Sequence, residues 1–210
     1  MDDFLGKIES SFNIRFEGDE LFYITTFGQL CDHITGKILL ADVDDCTSQQ
    51  AFYKLRDAIA SAFHVEKHAI SPDFALKVIL PRKTRRARIK KLNTHLELKL
   101  DILRAPHWVS LSFAVLILAS FVSLVFSWQI GLLGLMFSLA GLWLSNKFGN
   151  ELDHQTVGQL AEKLSRENYL RSRRNPRTFN KKEVEKVLID WFCSEFDLDK
   201  SKLSREAKFV

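Results

Sequence analysis

Cysteine is scarce: three residues in 210, at positions 31, 46 and 193, with no Cys-x-x-Cys pair. That scarcity excludes a disulfide-stapled secreted fold. Four prolines and nine glycines exclude collagen-like or linker-like material. Catalytic signatures are missing too. There is no G-x-G-x-x-G, no P-loop, no H-E-x-x-H and no G-x-S-x-G. No enzyme and no catalytic residue is therefore expected. His64 and His68 are four apart and would share a face on a continuous helix. That helix is expected to end near Val65, so no metal site is expected. The most informative absence is of charge: the 42 residues between Arg104 and Lys147 carry none.

Elsewhere charge is plentiful and unevenly placed. Hydrophobic residues make up 46% and charged residues 27%, too apolar for a disordered chain and too charged for one made mostly of membrane spans. Residues 1–45 carry 3 basic and 10 acidic side chains, and residues 46–104 carry 13 and 5. Residues 147–210 carry 14 and 11, which brings the whole chain to +4.

Within the uncharged block, Trp108 to Ser127 is long enough to cross a bilayer, which needs roughly 20 residues. Ile130 to Ser145, extended to Phe148, just spans, and Ser127–Trp128–Gln129 reads as the turn. A transmembrane hairpin over 107–148 is expected. Helices apolar on every face are rarely tolerated in water. Basic residues flank both outer ends: Arg82 to Arg104 before the first span, then Lys147, Arg171, Arg173, Arg174 and Arg177 after the second. The positive-inside rule puts both termini in the cytoplasm. A bacterial inner membrane is the expected location. The acidic start Met1–Asp2–Asp3 does not read as a signal peptide. Gly134, Ser138, Gly141 and Ser145 form a small-residue stripe, with Ser120, Ser123 and Ser127 on the first span. Such faces allow close helix packing in lipid. An anchor hairpin is the expectation; a pore or an oligomerisation surface is the alternative.

The soluble segments read as helices. Phe4, Ile8 and Phe12 recur every four residues, and Asn13–Gly18 breaks the pattern. Thr26-Phe27-Gly28-Gln29 fits a capping box, with Leu30 and Ile34 on the buried face that follows. The capping sequence returns 130 residues later as Thr156-Val157-Gly158-Gln159-Leu160. A second match has an offset of 133: Leu55, Ile59, Phe63, Val65, Lys67, Ile70 and Ser71 against Leu188, Phe192, Phe196, Leu198, Lys200, Leu203 and Ser204. Two matches at nearly one offset suggest an internal duplication.

Residues 3–38, with Ile8-Glu9-x-x-Phe12, the Ile14/Phe16 loop, acidic Glu17–Glu20 and the Thr25-Thr26-x-Gly28-x-Leu30 helix entry, resemble the second to fourth helices of an acyl carrier protein. Residues 182–210 are similar to that family's first helix and following loop. The resemblance implies an all-α fold of two carrier-like bundles plus the hairpin. One bundle, 1–40 plus 181–210, is split across the termini as in a circular permutation; the other is 46–104 plus 151–170. Its helices would be 48–65, the basic run 82–100 and the segment 151–168, with a loop over Glu66 to Leu80.

The family works through phosphopantetheine on a Ser opening the second helix. At that place the first copy has the junction of the chain ends. The second has Leu80-Pro81-Arg82-Lys83-Thr84-Arg85, where Thr84 is the sole hydroxyl, in a basic setting unlike the family's acidic one. No cofactor is expected. The expected function is a membrane-anchored docking scaffold for acyl, lipid or polyketide enzymes. Two alternatives stand: a genuine carrier modified at Thr84 or another atypical site, and a two-span effector or pore. The basic run Arg82, Lys83, Arg85, Arg86, Arg88, Lys90 and Lys91 is read as a contact for anionic lipid or an acidic partner, or as a topology signal alone. No aromatic residues interleave with it for base stacking, so nucleic acid is not an expected partner. Homo-oligomers, by exchange of terminal halves or by hairpin packing, are.

Overall fold

The computed structural model describes residues 2–209, which are mostly helical. In chain order the helices are α1 (Asp2–Phe12), α2 (Phe27–Lys37), α3 (Thr47–Phe63), α4 (Leu76–Ile79), α5 (Arg85–Leu96), α6 (His107–Phe126), α7 (Trp128–Lys147), α8 (Val157–Glu167), α9 (Tyr169–Ser172) and α10 (Lys181–Phe196). Three 3-10 turns and four two-residue strands accompany them among the described residues: β1 (Ala41–Asp42) runs parallel to β4 (Thr178–Phe179), and β2 (Leu103–Arg104) antiparallel to β3 (Glu151–Leu152). The chain divides into two compact units. One holds the residues up to Phe74 and those from Val157 on; the other is Ala75–Thr156. Segments 47–74 and 157–170 thus fall in the first unit, and 82–104 and 151–156 in the second.

The first unit has an aromatic core. Phe4, Ile8 and Phe12 of α1 are buried with Phe27, Leu30 and Ile34 of α2 and with Val184, Leu188, Trp191 and Phe192 of α10. Phe4 meets Phe192 edge-on at 4.8 Å between centroids and Trp191 at 5.5 Å. Burying each such side chain contributes about 1.5–3 kcal/mol, so these rings dominate the attraction between segments far apart in sequence. The α2 start is a capping box: Thr26 Oγ1 accepts from Gln29 N–H at 3.3 Å, and Gln29 Oε1 accepts from Thr26 N–H at 3.2 Å. Helix α3 buries Leu55, Ile59 and Ala62, and α8 packs against it with Val157, Leu160 and Leu164 buried.

Two loops meet two helix starts in the same way. Phe209 N–H donates to Thr25 O at 3.0 Å, Thr26 bridges Lys208, Phe27 N–H donates to Ala207 O at 2.9 Å and Gly28 N–H to Arg205 O at 2.8 Å. In the second unit, Leu76 N–H donates to Gln155 O at 2.8 Å and Ala75 bridges Thr156. In the first, Val157 N–H donates to Phe74 O at 3.0 Å and Gly158 N–H to Pro72 O at 2.7 Å. Each helix-side residue recurs after 130 positions and each loop-side residue after 133. Both loops follow a helix closed by a left-handed residue, His64 at φ 56° and Asp197 at φ 52°. Both then make a 3-10 turn, Lys67–Ala69 and Lys200–Lys202. A Cβ on Gly28 would lie 2.8 Å from Arg205 O, too close to fit without a shift of backbone, and one on Gly158 would crowd Pro72 O at 3.0 Å, so a glycine eases the approach at both places.

In the second unit α6 and α7 pack side by side and are long and apolar enough to cross a membrane. Their apolar side chains face outward; only 6% and 11% of the two most apolar windows are buried. Small residues line the seam: Ser120, Gly131 and Ser138 are buried, and a Cβ on Gly134 would lie 2.5 Å from Ser120 Oγ. The turn is tighter than the sequence suggests. Ser127 alone is extended, and its carbonyl already accepts from Gly131 N–H at 3.0 Å, so Trp128 and Gln129 belong to α7.

Candidate functional site

The basic run builds α5 and the approach to it, and its members divide into two groups. Arg85 is buried. Its Nε donates to Leu80 O at 3.0 Å, its Nη1 bonds Asn150 O, and Glu151 lies 3.9 Å away. Burial pulls its pKa below the ordinary arginine value, opposed by Glu151. Arg88 donates to Ile79 O at 2.7 Å, Arg86 to Gly149 O at 2.9 Å, and Arg82 pairs with Glu151 at 3.1 Å. Arg85, Arg86 and Arg88 thus tie α5 to neighbouring segments of its own unit through main-chain carbonyls, whereas Arg82 pairs with a carboxylate. Lys83, Lys90 and Lys91 are exposed. Thr84 is the N-cap residue of α5. It is exposed, and its side chain makes no capping bond.

The acidic segment of the first unit presents a different surface. Glu17 and Asp19 are exposed, and the 3-10 turn Glu20–Tyr23 that follows holds Phe22 and Tyr23 out at 82% and 78% exposure. Their rings meet edge-on at 5.6 Å. Glu20 anchors the turn to α2: its carboxylate is 2.7 Å from Lys37 Nζ and 3.0 Å from His33 Nε2. The Lys37 hydrogen bond, seconded by His33, holds the Glu20 pKa below the usual carboxylate value. Arg205 stands between Asp32 at 2.7 Å and Glu185 at 2.6 Å, pinning the loop after α10 to α2, and both bonds raise its pKa.

One polar cluster had no sequence signal beyond a run of arginines. Arg173 is buried. It donates to Thr47 Oγ1 at 2.7 Å, Thr178 Oγ1 at 3.2 Å and Val43 O at 3.3 Å, with Glu183 at 3.7 Å. Glu183 in turn accepts from Thr47 N–H at 2.8 Å, capping α3 from α10. Tyr169, buried beside them, accepts from Asn180 N–H at 3.1 Å, and burial raises its pKa. Every strong donor and acceptor here faces another, so the cluster reads as a structural clamp. His64 and His68, spaced for one helix face, both lie beyond Phe63, the last residue of α3. His64 is its left-handed cap, and His68, in the next turn, pairs with Glu66 at 2.9 Å. Cys31 is buried, and desolvation pushes its thiol up to about 12, whereas Cys46 is exposed. No family model, no curated protein and no solved structure matches this chain.

Proposed function

We propose that this chain is a membrane-anchored docking scaffold: a two-helix hairpin carrying carrier-like helical bundles that recruit acyl-handling enzymes. The repeated loop-to-helix clamp supports this reading most directly. Residues 25–28 against 205–209, and 157–158 against 72–74 in the same unit, pair in the same register, with a glycine at the same place. A duplicated carrier-like unit, permuted in its first copy and interrupted by the hairpin in its second, accounts for both clamps. The outward-facing apolar surface of α6 and α7 favours insertion in lipid, since water would not tolerate it. The charged flanks favour both soluble ends on the cytoplasmic face.

The docking surface in this reading is the Phe22–Tyr23 pair with Glu17 and Asp19 beside it. It suits a partner that offers basic side chains around an apolar socket. Affinity capture of the full chain from its native membrane tests this. Acyl-handling enzymes are expected to be enriched, and lost when Glu17→Lys and Asp19→Lys are combined. Enrichment of none, or capture indifferent to the charge reversal, contradicts it.

A second reading has one observation in its favour. Thr84 stands at the N-terminus of α5 with no capping bond from its side chain, and if α5 is taken as the carrier-like second helix, that is where the phosphopantetheine Ser would stand. Modification at Thr84 would make the chain a genuine carrier.

A further inference from the structure

At the end of the second span lies a cleft of about 560 Å³, built entirely within the second unit. One wall is a face of α5, where Arg86, Lys90 and Asn93 recur at helical spacing. The opposite wall is the last turn of α7, with Trp143 and Lys147. The floor is the segment from Leu100 to Leu103, held in place by Asn93 Oδ1, which accepts from Leu100 N–H at 3.1 Å. Asp101 is the one carboxylate among the lining side chains, against three cations.

Two features make this more than a basic patch. The carbonyl end of a helix ordinarily repels anions. Here Arg86 stands over that end, donating to Gly149 O at 2.9 Å and reaching Lys147 O at 3.5 Å. That leaves Lys90 and Lys147 to offer charge to a ligand. Lys147 lies over the Trp143 ring, Nζ 4.8 Å from its centroid, and neither lysine forms an ion pair among the described residues. Trp143 itself is 62% exposed, one helical turn inside the apolar span. Tryptophan at that depth marks the headgroup level of a bilayer. Cations, an aromatic ring and the apolar side chains of Ile89 and Leu100 therefore converge where an inserted hairpin meets lipid phosphates.

We infer that this cleft binds the phosphate headgroup of an anionic membrane lipid, with Lys90 and Lys147 pairing with the phosphate and Trp143 lying along the glycerol and upper acyl chain. The inference rests on the membrane reading of α6 and α7. The same charges would also take free phosphate, so the test separates the two sources.

The full chain in mild detergent is examined by native mass spectrometry with added phosphatidylglycerol, phosphatidylcholine or inorganic phosphate. One phosphatidylglycerol is expected to be retained in preference to phosphatidylcholine. The Lys90→Gln, Lys147→Gln double variant is expected to lose that retention by about tenfold or more. Lys83→Gln, outside the cleft on the same basic run, is expected to leave it unchanged. Retention that is equal in the double variant, or equally weakened by Lys83→Gln, overturns the site. Inorganic phosphate bound through the same two lysines, without preference between lipids, overturns the lipid assignment. Flotation with phosphatidylcholine vesicles separates the two readings. Wild type and double variant are both expected to float, and a wild type that fails to float contradicts the membrane reading itself.

Discussion

Arg173 and Thr47, 126 positions apart, meet in a buried hydrogen bond of 2.7 Å that joins α3 to the segment after α9. Glu183 completes the triangle, accepting from the Thr47 main chain at 2.8 Å. Removing Arg173 takes its hydrogen bond from the buried Thr47 hydroxyl and the nearby cation from the Glu183 carboxylate. Arg173→Met is expected to destabilise the first unit by about 3 kcal/mol or more. The check is denaturant unfolding followed by tryptophan fluorescence, Trp191 lying in that core. Glu183→Gln keeps a hydrogen-bond acceptor near Thr47 and is expected to cost less.

The paired glycines give a second expectation. Gly28→Ala and Gly158→Ala each push a Cβ against a carbonyl oxygen, at 2.8 and 3.0 Å. Each is expected to lower stability by about 1–3 kcal/mol, Gly28 the more. Gly36, in α2 with nothing within 4 Å, is the control. Gly36→Ala is expected to be neutral or slightly stabilising, because alanine favours the helix and restricts the unfolded chain. Thermal unfolding of the three variants side by side reads this.

Much of this was legible in advance, and the exceptions share a cause. The capping box at Thr26 and the periodic faces Phe4/Ile8/Phe12 and Leu30/Ile34 needed only local chemistry, and the structure has them. So does the extent of the apolar hairpin, to within a residue or two. Arg85 and Arg173 were unreadable, because a run of arginines in sequence looks like a solvated face. Their burial depends on carbonyls and hydroxyls supplied from far along the chain, Asn150 for one and Thr47 for the other. The lipid cleft was hidden for the same reason. Lys90 belonged to a visible basic run, but Lys147 and Trp143 read only as the end of a span until the fold set them opposite α5.

Thiol chemistry separates Cys46 from Cys31. Cys46 is exposed, whereas Cys31 is buried with its thiol pushed up to about 12. Alkylation of the native protein near pH 8 is expected to modify Cys46 and spare Cys31 until the chain is denatured. Peptide mapping identifies the labelled residue.

Acid is expected to loosen the aromatic turn. The Lys37 hydrogen bond, helped by His33, holds the Glu20 pKa below its ordinary 4.5. A carboxylate with a lowered folded pKa stabilises the fold above its unfolded pKa, and that contribution is lost as pH falls through the folded value. The window therefore opens near pH 4.5 and lies below it. Glu20→Gln is expected to flatten this part of the acid dependence while leaving its other limbs in place. A titration of stability from neutral to acid pH, wild type against variant, measures it.

The scaffold reading meets its most direct test in the intact mass of the detergent-purified chain after incubation with coenzyme A and a broad-specificity phosphopantetheinyl transferase, alongside an ordinary carrier protein. No gain in mass is expected while the ordinary carrier is labelled. A gain of one phosphopantetheine arm, abolished by Thr84→Val, would contradict the scaffold reading and make the chain a membrane-bound carrier.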